Sequence, residues 1–258
     1  MILELFINDF VLGWLHFRRY LLNSLASILV LVVLFLGLFL GGTYLAGPAA
    51  GFDDRRDILV VGFFMWTLTL ISFSGVGSQI AEHARIGVLE QVLLSRYPPV
   101  LIYFVQAIAG LAFVLAFNMF ILALVVLITG ARPSFPPVVA PLLLAIMLGG
   151  AGLGFAFGAA AIVLKRVDQL QSFLQFGLIV VVMVPVEEWS AGWQTLKDFL
   201  PLTPAASALR DAMARGGDLD PVATAIAMLN SLVYLAIGLA IFARGVRIAK
   251  RAGTLASY

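Results

Sequence analysis

Apolar residues in this chain come in long, nearly uninterrupted runs separated by short polar stretches, without the strict alternation of a half-buried strand. The runs cover Leu21–Leu45, Ile58–Ile80, Val100–Ile128, Val138–Leu164, Leu170–Val186 and Val222–Ala243. A helix needs about 20 apolar residues to cross a hydrocarbon core about 30 Å thick, and only the fifth run falls short of that. Lipid offers no partner to backbone N–H and C=O groups, and no alternating barrel pattern is present, so each run is expected to be helical. The expected fold is an all-α membrane protein with six transmembrane helices.

Ahead of the first run the pattern changes. Leu3, Phe6, Ile7, Phe10, Trp14 and Phe17 recur at helical spacing, with Glu4, Asn8, Asp9, His16 and Arg19 on the other side. This predicts a helix over residues 1–20 lying flat in the membrane interface, with His16 at headgroup level. Extending the first span through this segment instead would bury Glu4 and Asp9. Ala46–Ala50 resembles a signal-peptide cleavage region, but the preceding apolar stretch is too long, and an uncleaved span is expected.

Composition sharpens the class. Of 258 residues, 62% are hydrophobic and 12% charged, with a mean hydropathy of +1.06, which excludes a water-soluble globule. The absence of cysteine removes disulfides, thiolate metal sites and cysteine nucleophiles, and His16 and His83 alone argue against a histidine metal site. With the N-terminus inside, Arg18, Arg19, Arg85, Arg96, Lys165, Arg166, Arg244, Arg247, Lys250 and Arg251 fall on the cytoplasmic side, ten of the sixteen basic residues. Both termini are therefore expected in the cytoplasm, in a multi-pass protein of the inner membrane. The net charge of +2 reflects this topology rather than a nucleic-acid partner.

Within the runs, Gly37 and Gly41, and then Gly150, Gly154 and Gly158, have the spacing of closely approaching helices. Gly149–Gly154 follows no strand, so it is not a dinucleotide-binding loop. Most of Ser72, Ser74, Gln79, Gln106, Asn118, Gln175 and Asn230 are expected to bond between helices. No ionisable residue is expected near midplane, which disfavours an ion-coupled carrier, and no Gly-x-Ser-x-Gly or acid pair points to an intramembrane hydrolase.

Two polar segments stand out. Residues 187–221 form the longest outer loop: Trp189 and Trp193 suit an aromatic belt, Glu187 and Glu188 a solvated span end, and Leu196–Leu200 and Ala205–Ala214 short helices separated by Pro201 and Pro204. Residues 82–97 form a polar helix ending before Pro98-Pro99. Val88, Leu89, Val92 and Leu93 make its apolar side, while Arg85 and Arg96 intrude on that side, so docking against a soluble partner suits it better than burial in lipid. The bland alternative is a loop helix that touches nothing. No linker or repeat divides residues 1–258, which are expected to form a single domain.

Taken in order, the interfacial helix, the six spans, Glu82 followed by Gly87-Val88-Leu89-Glu90-Gln91-Val92-Leu93-Leu94-Ser95, and Leu200-Pro201-Leu202-Thr203-Pro204 with Arg210 resemble the permease subunits of ATP-binding-cassette type-2 exporters. The chain departs from the family at Val88, where threonine is common, and at Pro98-Pro99, where one proline is usual; neither change breaks the helix. The resemblance implies that residues 82–97 form a coupling helix seated in a nucleotide-binding ATPase subunit, through Glu82, Arg85, Gly87, Leu89, Glu90 and Leu93. It also implies a second permease copy, with the second and fifth spans lining the dimer axis. Pro201, Thr203, Pro204 and Arg210 would belong to an outer gate, and Phe63, Phe64, Trp66, Phe73, Phe173 and Phe176 become candidates for touching substrate as well as for packing.

Lys165, Lys197 and Lys250 each lack the preceding glycine of a phosphate-binding loop, so this chain is expected to be no enzyme and to hold no cofactor. ATP and magnesium would bind the partner subunit. The expected cargo is lipophilic or amphipathic, a drug, lipid or natural product rather than a polysaccharide. Two rivals remain: a membrane scaffold that recruits a soluble partner through the same loop without moving cargo, and an ion-coupled carrier.

Overall fold

The computed structural model describes residues 21–46, 52–164, 167–184, 198–216 and 220–252, together with positions 7, 10, 11, 15, 18 and 19. Its helices are α1 (Leu21–Ala46), α2 (Phe52–Arg85), α3 (Val88–Leu94), α4 (Pro99–Thr129), α5 (Val139–Leu164), α6 (Asp168–Met183), α7 (Thr203–Ala214) and α8 (Pro221–Ala252). The described positions before α1 are also helical, and the Phe10 ring lies 4.7 Å from that of Phe113 on α4. The remainder of the predicted interfacial helix lies outside the described residues.

Four of these helices are long and apolar enough to cross a membrane: Arg56–Arg85, Pro99–Thr129, Val139–Leu164 and Pro221–Arg251. Leu25–Gly41 and Gln169–Met183 are shorter apolar stretches. Among the described residues, four helices thus meet the length and hydropathy of a full span; α1 runs 26 residues around its apolar stretch Leu25–Gly41, and α6, the fifth run, is a shorter helix of 16. Chain geometry limits the fifth: the backbone turns extended at Val184, where ψ is 128°.

The core is a triad of α2, α5 and α8 joined through glycines. Gly150, Gly154 and Gly158 turn toward α2. A Cβ at Gly154 would lie 2.6 Å from the Phe73 carbonyl oxygen, and one at Gly158 would lie 2.7 Å from Ile80 Cδ1. Gly77 answers from α2, where a Cβ would come within 3.2 Å of the Gly154 carbonyl oxygen. Gly152 faces the opposite way, onto α8, with Leu235 Cα 2.6 Å from where its Cβ would stand. One helix therefore packs backbone to backbone on two sides, an arrangement that small residues permit. Gly37 and Gly41 do not act this way in the single chain: a Cβ at either meets nothing within 4 Å, because α1 touches α2 through a different face bearing Ile28, Val32 and Phe35.

Helix α4 relies more on hydrogen bonds. Thr67 Oγ1 meets Asn118 Oδ1 at 2.8 Å, Gln79 Nε2 meets Gln106 Oε1 at 3.5 Å, and His83 Nδ1 lies 3.0 Å from the Tyr103 hydroxyl. Gln79, Gln106 and Asn118 thus bond between helices as expected. Ser72 and Ser74 do not; each donates to its own helix, to the carbonyls of Leu68 and Leu70. A serine inside a helix can share its own i−4 carbonyl, which has a second lone pair, without crossing to another helix.

Candidate functional site: the segment after α2 and the outer helix

Residues 82–97 do not form one helix. Glu82–Arg85 is the last turn of α2, closed by the Ile86 amide donating to the Glu82 carbonyl at 3.0 Å. The chain then turns at Gly87, whose φ of +76° lies in the left-handed region, and restarts as the seven-residue α3. Nothing stands near the Gly87 Cβ position, so backbone conformation rather than space calls for glycine there. At the far end the Ser95 hydroxyl donates to the carbonyls of Val92 and Tyr97, and Pro99 opens α4. Proline at a first helical turn is tolerated because its missing N–H would have no partner anyway. The result is a short helix held between two elbows.

The two sides of α3 differ. Leu89 is 2% exposed, and Val92 and Leu93 pack partly against the core. Leu94 is 87% exposed and Ile86 60% exposed. Glu90 and Leu94 are four residues apart and share a helix face, with Gln91 exposed beside them. The Glu82 and Arg85 side chains are also exposed, and at 4.0 Å make only a loose ion pair. The apolar side marked by the sequence pattern therefore folds inward, and the outer surface carries Ile86, Gln91 and Leu94, with the half-buried Glu90 at its edge. The signal for that surface was present: Leu94 follows Glu90 by one helical turn.

Behind α3 the chain is braced. Tyr103 is buried, meets His83 through its hydroxyl, and stands edge-on to Phe242 with ring centroids 5.6 Å apart; Phe242 in turn meets Phe155 at 5.6 Å. Ser78 on α2 accepts from Gln171 Nε2 at 2.9 Å, tying α6 to the same end. His83, Tyr103, Phe242 and Phe155 thus link α2, α4, α8 and α5 at the end that carries α3.

The family model for the ABC-2 type transporter matches residues 9–214. The chain belongs to the ABC-2 type transporter family. No curated protein matches it. Members of this family are membrane subunits of transporters that normally work with an ATPase partner, so the chain is an ABC permease with several apolar helices.

At the opposite end of the permease, α7 is packed rather than splayed. Thr203, Pro204, Ala205, Ala206, Ser207, Leu209, Arg210, Ala212 and Met213 are all buried. Leu202 caps α7 with φ +68°, a left-handed conformation costly to a branched side chain, and its Cδ2 occupies the notch left by Gly149. Arg210 is 1% exposed and donates through Nη2 to the Val182 carbonyl at 2.8 Å. Two side chains of α8 hold the preceding turn: Asn230 Nδ2 donates to the carbonyls of Asp198 (2.9 Å) and Leu200 (3.2 Å), and the Tyr234 hydroxyl donates to that of Phe199 (2.7 Å). Pro201 is half-buried beside them.

Of the two short outer helices expected, Ala205–Ala214 lies within α7. Asp198–Leu200 is turn and bend, and the rest of 187–197, with Trp189, Trp193, Glu187 and Glu188, lies outside the described residues. Asn230 bonds to this turn rather than between long helices. Sequence reasoning gave Tyr234 no role, since a tyrosine in an apolar run carries no sign of which carbonyl it will reach.

The six candidate pathway aromatics do not share a surface in the permease. Phe63, Phe64, Trp66 and Phe73 are buried on α2, where Phe63 contacts Phe35 at 4.8 Å and Phe73 contacts Phe157 at 5.6 Å between ring centroids. Phe173 and Phe176 stand 76% and 70% exposed on α6.

Proposed function

We propose that this chain is the transmembrane subunit of an ATP-driven exporter and that α3 is the segment a separate ATPase engages. The observation that carries this reading is the short helix between two elbows, anchored inward by Leu89 while Ile86, Gln91 and Leu94 face outward and Glu90 stands half-buried at their edge. A freely solvated loop gains nothing from exposed Ile86 and Leu94, whereas a protein cleft buries both.

In this reading Glu82, Arg85 and Glu90 make polar contacts to the ATPase, Leu89 and Leu93 fix the angle of α3, and Gly87 provides the hinge. ATP and magnesium bind the partner, and nucleotide binding biases the permease between inward- and outward-open states. Two copies enclose the pathway along α2 and α6, where the exposed Phe173 and Phe176 suit a lipophilic or amphipathic cargo. The apolar stretches of α1 and α6 complete six spans, both termini lie in the cytoplasm of an inner-membrane protein, and Pro201, Thr203, Pro204 and Arg210 stabilise an outer gate built on α7.

The test is transport by proteoliposomes containing the chain and its ATPase. Deleting Val88–Leu93 is expected to abolish ATP-dependent movement of a lipophilic dye while the chain still inserts. Undiminished transport would refute the reading.

A further inference from the structure

Helix α8 does not stop where its apolar run stops. Its 32 residues extend about 48 Å at a rise of 1.5 Å per residue, against about 30 Å of hydrocarbon. The last turns carry Arg244, Arg247, Lys250 and Arg251, all exposed. Phe242, one turn earlier, stands edge-on to Tyr103, whose hydroxyl meets His83. The basic turns therefore lie at the same end of the bundle as α3.

These turns are rigidly held. Phe242, Val246 and Ala249 are buried, and a Cβ at Gly245 would come within 3.0 Å of Ala159 Cβ on α5. The opposite face interleaves two exposed isoleucines with two arginines, Ile241, Arg244, Ile248 and Arg251, at steps of three, four and three. Arg247 flanks them, with its Nε donating to the Ala243 carbonyl.

No Asp or Glu occurs from Pro221 to Tyr258. Among the described residues, the ion pairs Arg85–Glu82 and Arg215–Asp211 do not involve these four cations. The helix dipole favours cations within its last turn, but Arg244 lies two turns from the end and is not explained by it.

We propose that this face of α8 binds anionic phospholipid headgroups, with Arg244, Arg247 and Arg251 holding phosphate oxygens while Ile241, on the hydrocarbon side of the arginines, rests on the adjoining acyl region. Guanidinium groups meet phosphates in forked hydrogen bonds, and basic clusters just outside a span attract anionic lipid. Free phosphate would satisfy the arginines but leave Ile241 exposed; an acidic protein partner in place of lipid would show as no phosphatidylglycerol enrichment on reconstitution. A charge bias between loops requires only that cations lie near a span end; it does not call for a packed helix presenting them at fixed spacing between isoleucines. The proposal stands independently of the exporter reading.

The full-length chain is reconstituted in nanodiscs of phosphatidylcholine containing increasing phosphatidylglycerol, re-extracted in mild detergent, and the retained lipid is quantified. Phosphatidylglycerol is expected to be enriched, saturably, over phosphatidylcholine. Stepwise Arg244→Gln, Arg247→Gln and Arg251→Gln lowers its affinity by about fivefold per arginine, while the corresponding triple lysine variant, which keeps the charge but not the fork, falls between the wild type and the triple glutamine variant. On the wild-type chain alone, raising the salt concentration strips the lipid. No enrichment in the wild type, retention indifferent to salt, equal enrichment in the triple glutamine variant, or an equal loss on Arg132→Gln at the other end of the bundle would each overturn the proposal.

Discussion

Gly152 and Gly238 lie so close that a Cβ added to Gly238 would overlap the Gly152 carbonyl oxygen. The α5–α8 contact therefore depends on backbone approach, and no rotamer change can relieve a side chain placed there. Gly238→Ala is expected to destabilise the bundle by about 1–3 kcal/mol, or to prevent its assembly. Gly37→Ala, with open space around it, should be neutral. Thermal unfolding in detergent, followed by size-exclusion chromatography, compares the two directly.

The hydrogen bond between His83 and Tyr103 offers a separable test of transmission from α3. Tyr103→Phe keeps the ring contacts with Phe242 and removes only the hydroxyl. A single such bond between membrane helices contributes about 0.6 kcal/mol, so stability should change little. If the bond helps α2 and α4 move together, ATP-dependent transport falls while ATPase binding is kept. Unchanged transport per ATP hydrolysed would assign the pair to packing alone.

At the end that carries α7, Tyr234→Phe and Asn230→Leu remove the donors that hold the carbonyls of Asp198, Phe199 and Leu200. Each loss should cost about 1 kcal/mol. It should appear as faster amide exchange confined to residues 198–203, with α5 and the middle of α8 unaffected. Leu202→Gly combines opposing effects: it relieves the left-handed backbone but empties the notch over Gly149. Because Leu202 is buried, the cavity is expected to dominate, with a net loss of about 2 kcal/mol.

Gly87→Val should strain the elbow by about 1–2 kcal/mol, since a β-branched residue resists positive φ. The expected consequence is a mis-set α3 with the spans intact: normal insertion and expression, reduced ATPase affinity. Pull-down of the partner at graded concentrations measures that shift.

Much of the fold was legible because lipid imposes a simple rule. Long apolar runs become helices, and the Gly150, Gly154 and Gly158 spacing pointed to a close helix contact that exists. Gly37 and Gly41 have the same spacing without that contact, since spacing says which residues share a face but not which face meets a neighbour. Helix limits were less legible: hydrogen bonding carries α2 on to Arg85 and α8 to Ala252, past the charges that mark the ends of their apolar runs. The same limitation hid the break at Gly87, where a left-handed glycine turns one apparent polar helix into two pieces. Tyr234 and the inward turn of Leu89 are products of tertiary packing, which periodicity alone does not encode.

The central claim is that a separate ATPase docks on the outward face of α3. Mild-detergent purification of the wild-type chain and of Glu90→Arg from native membranes, with identification of the proteins that accompany each, tests it most directly. A nucleotide-binding ATPase that accompanies the wild-type chain and is lost from the variant, with both chains equally folded, is the expected result. An ATPase retained undiminished by Glu90→Arg, or none with the wild type, would contradict the account.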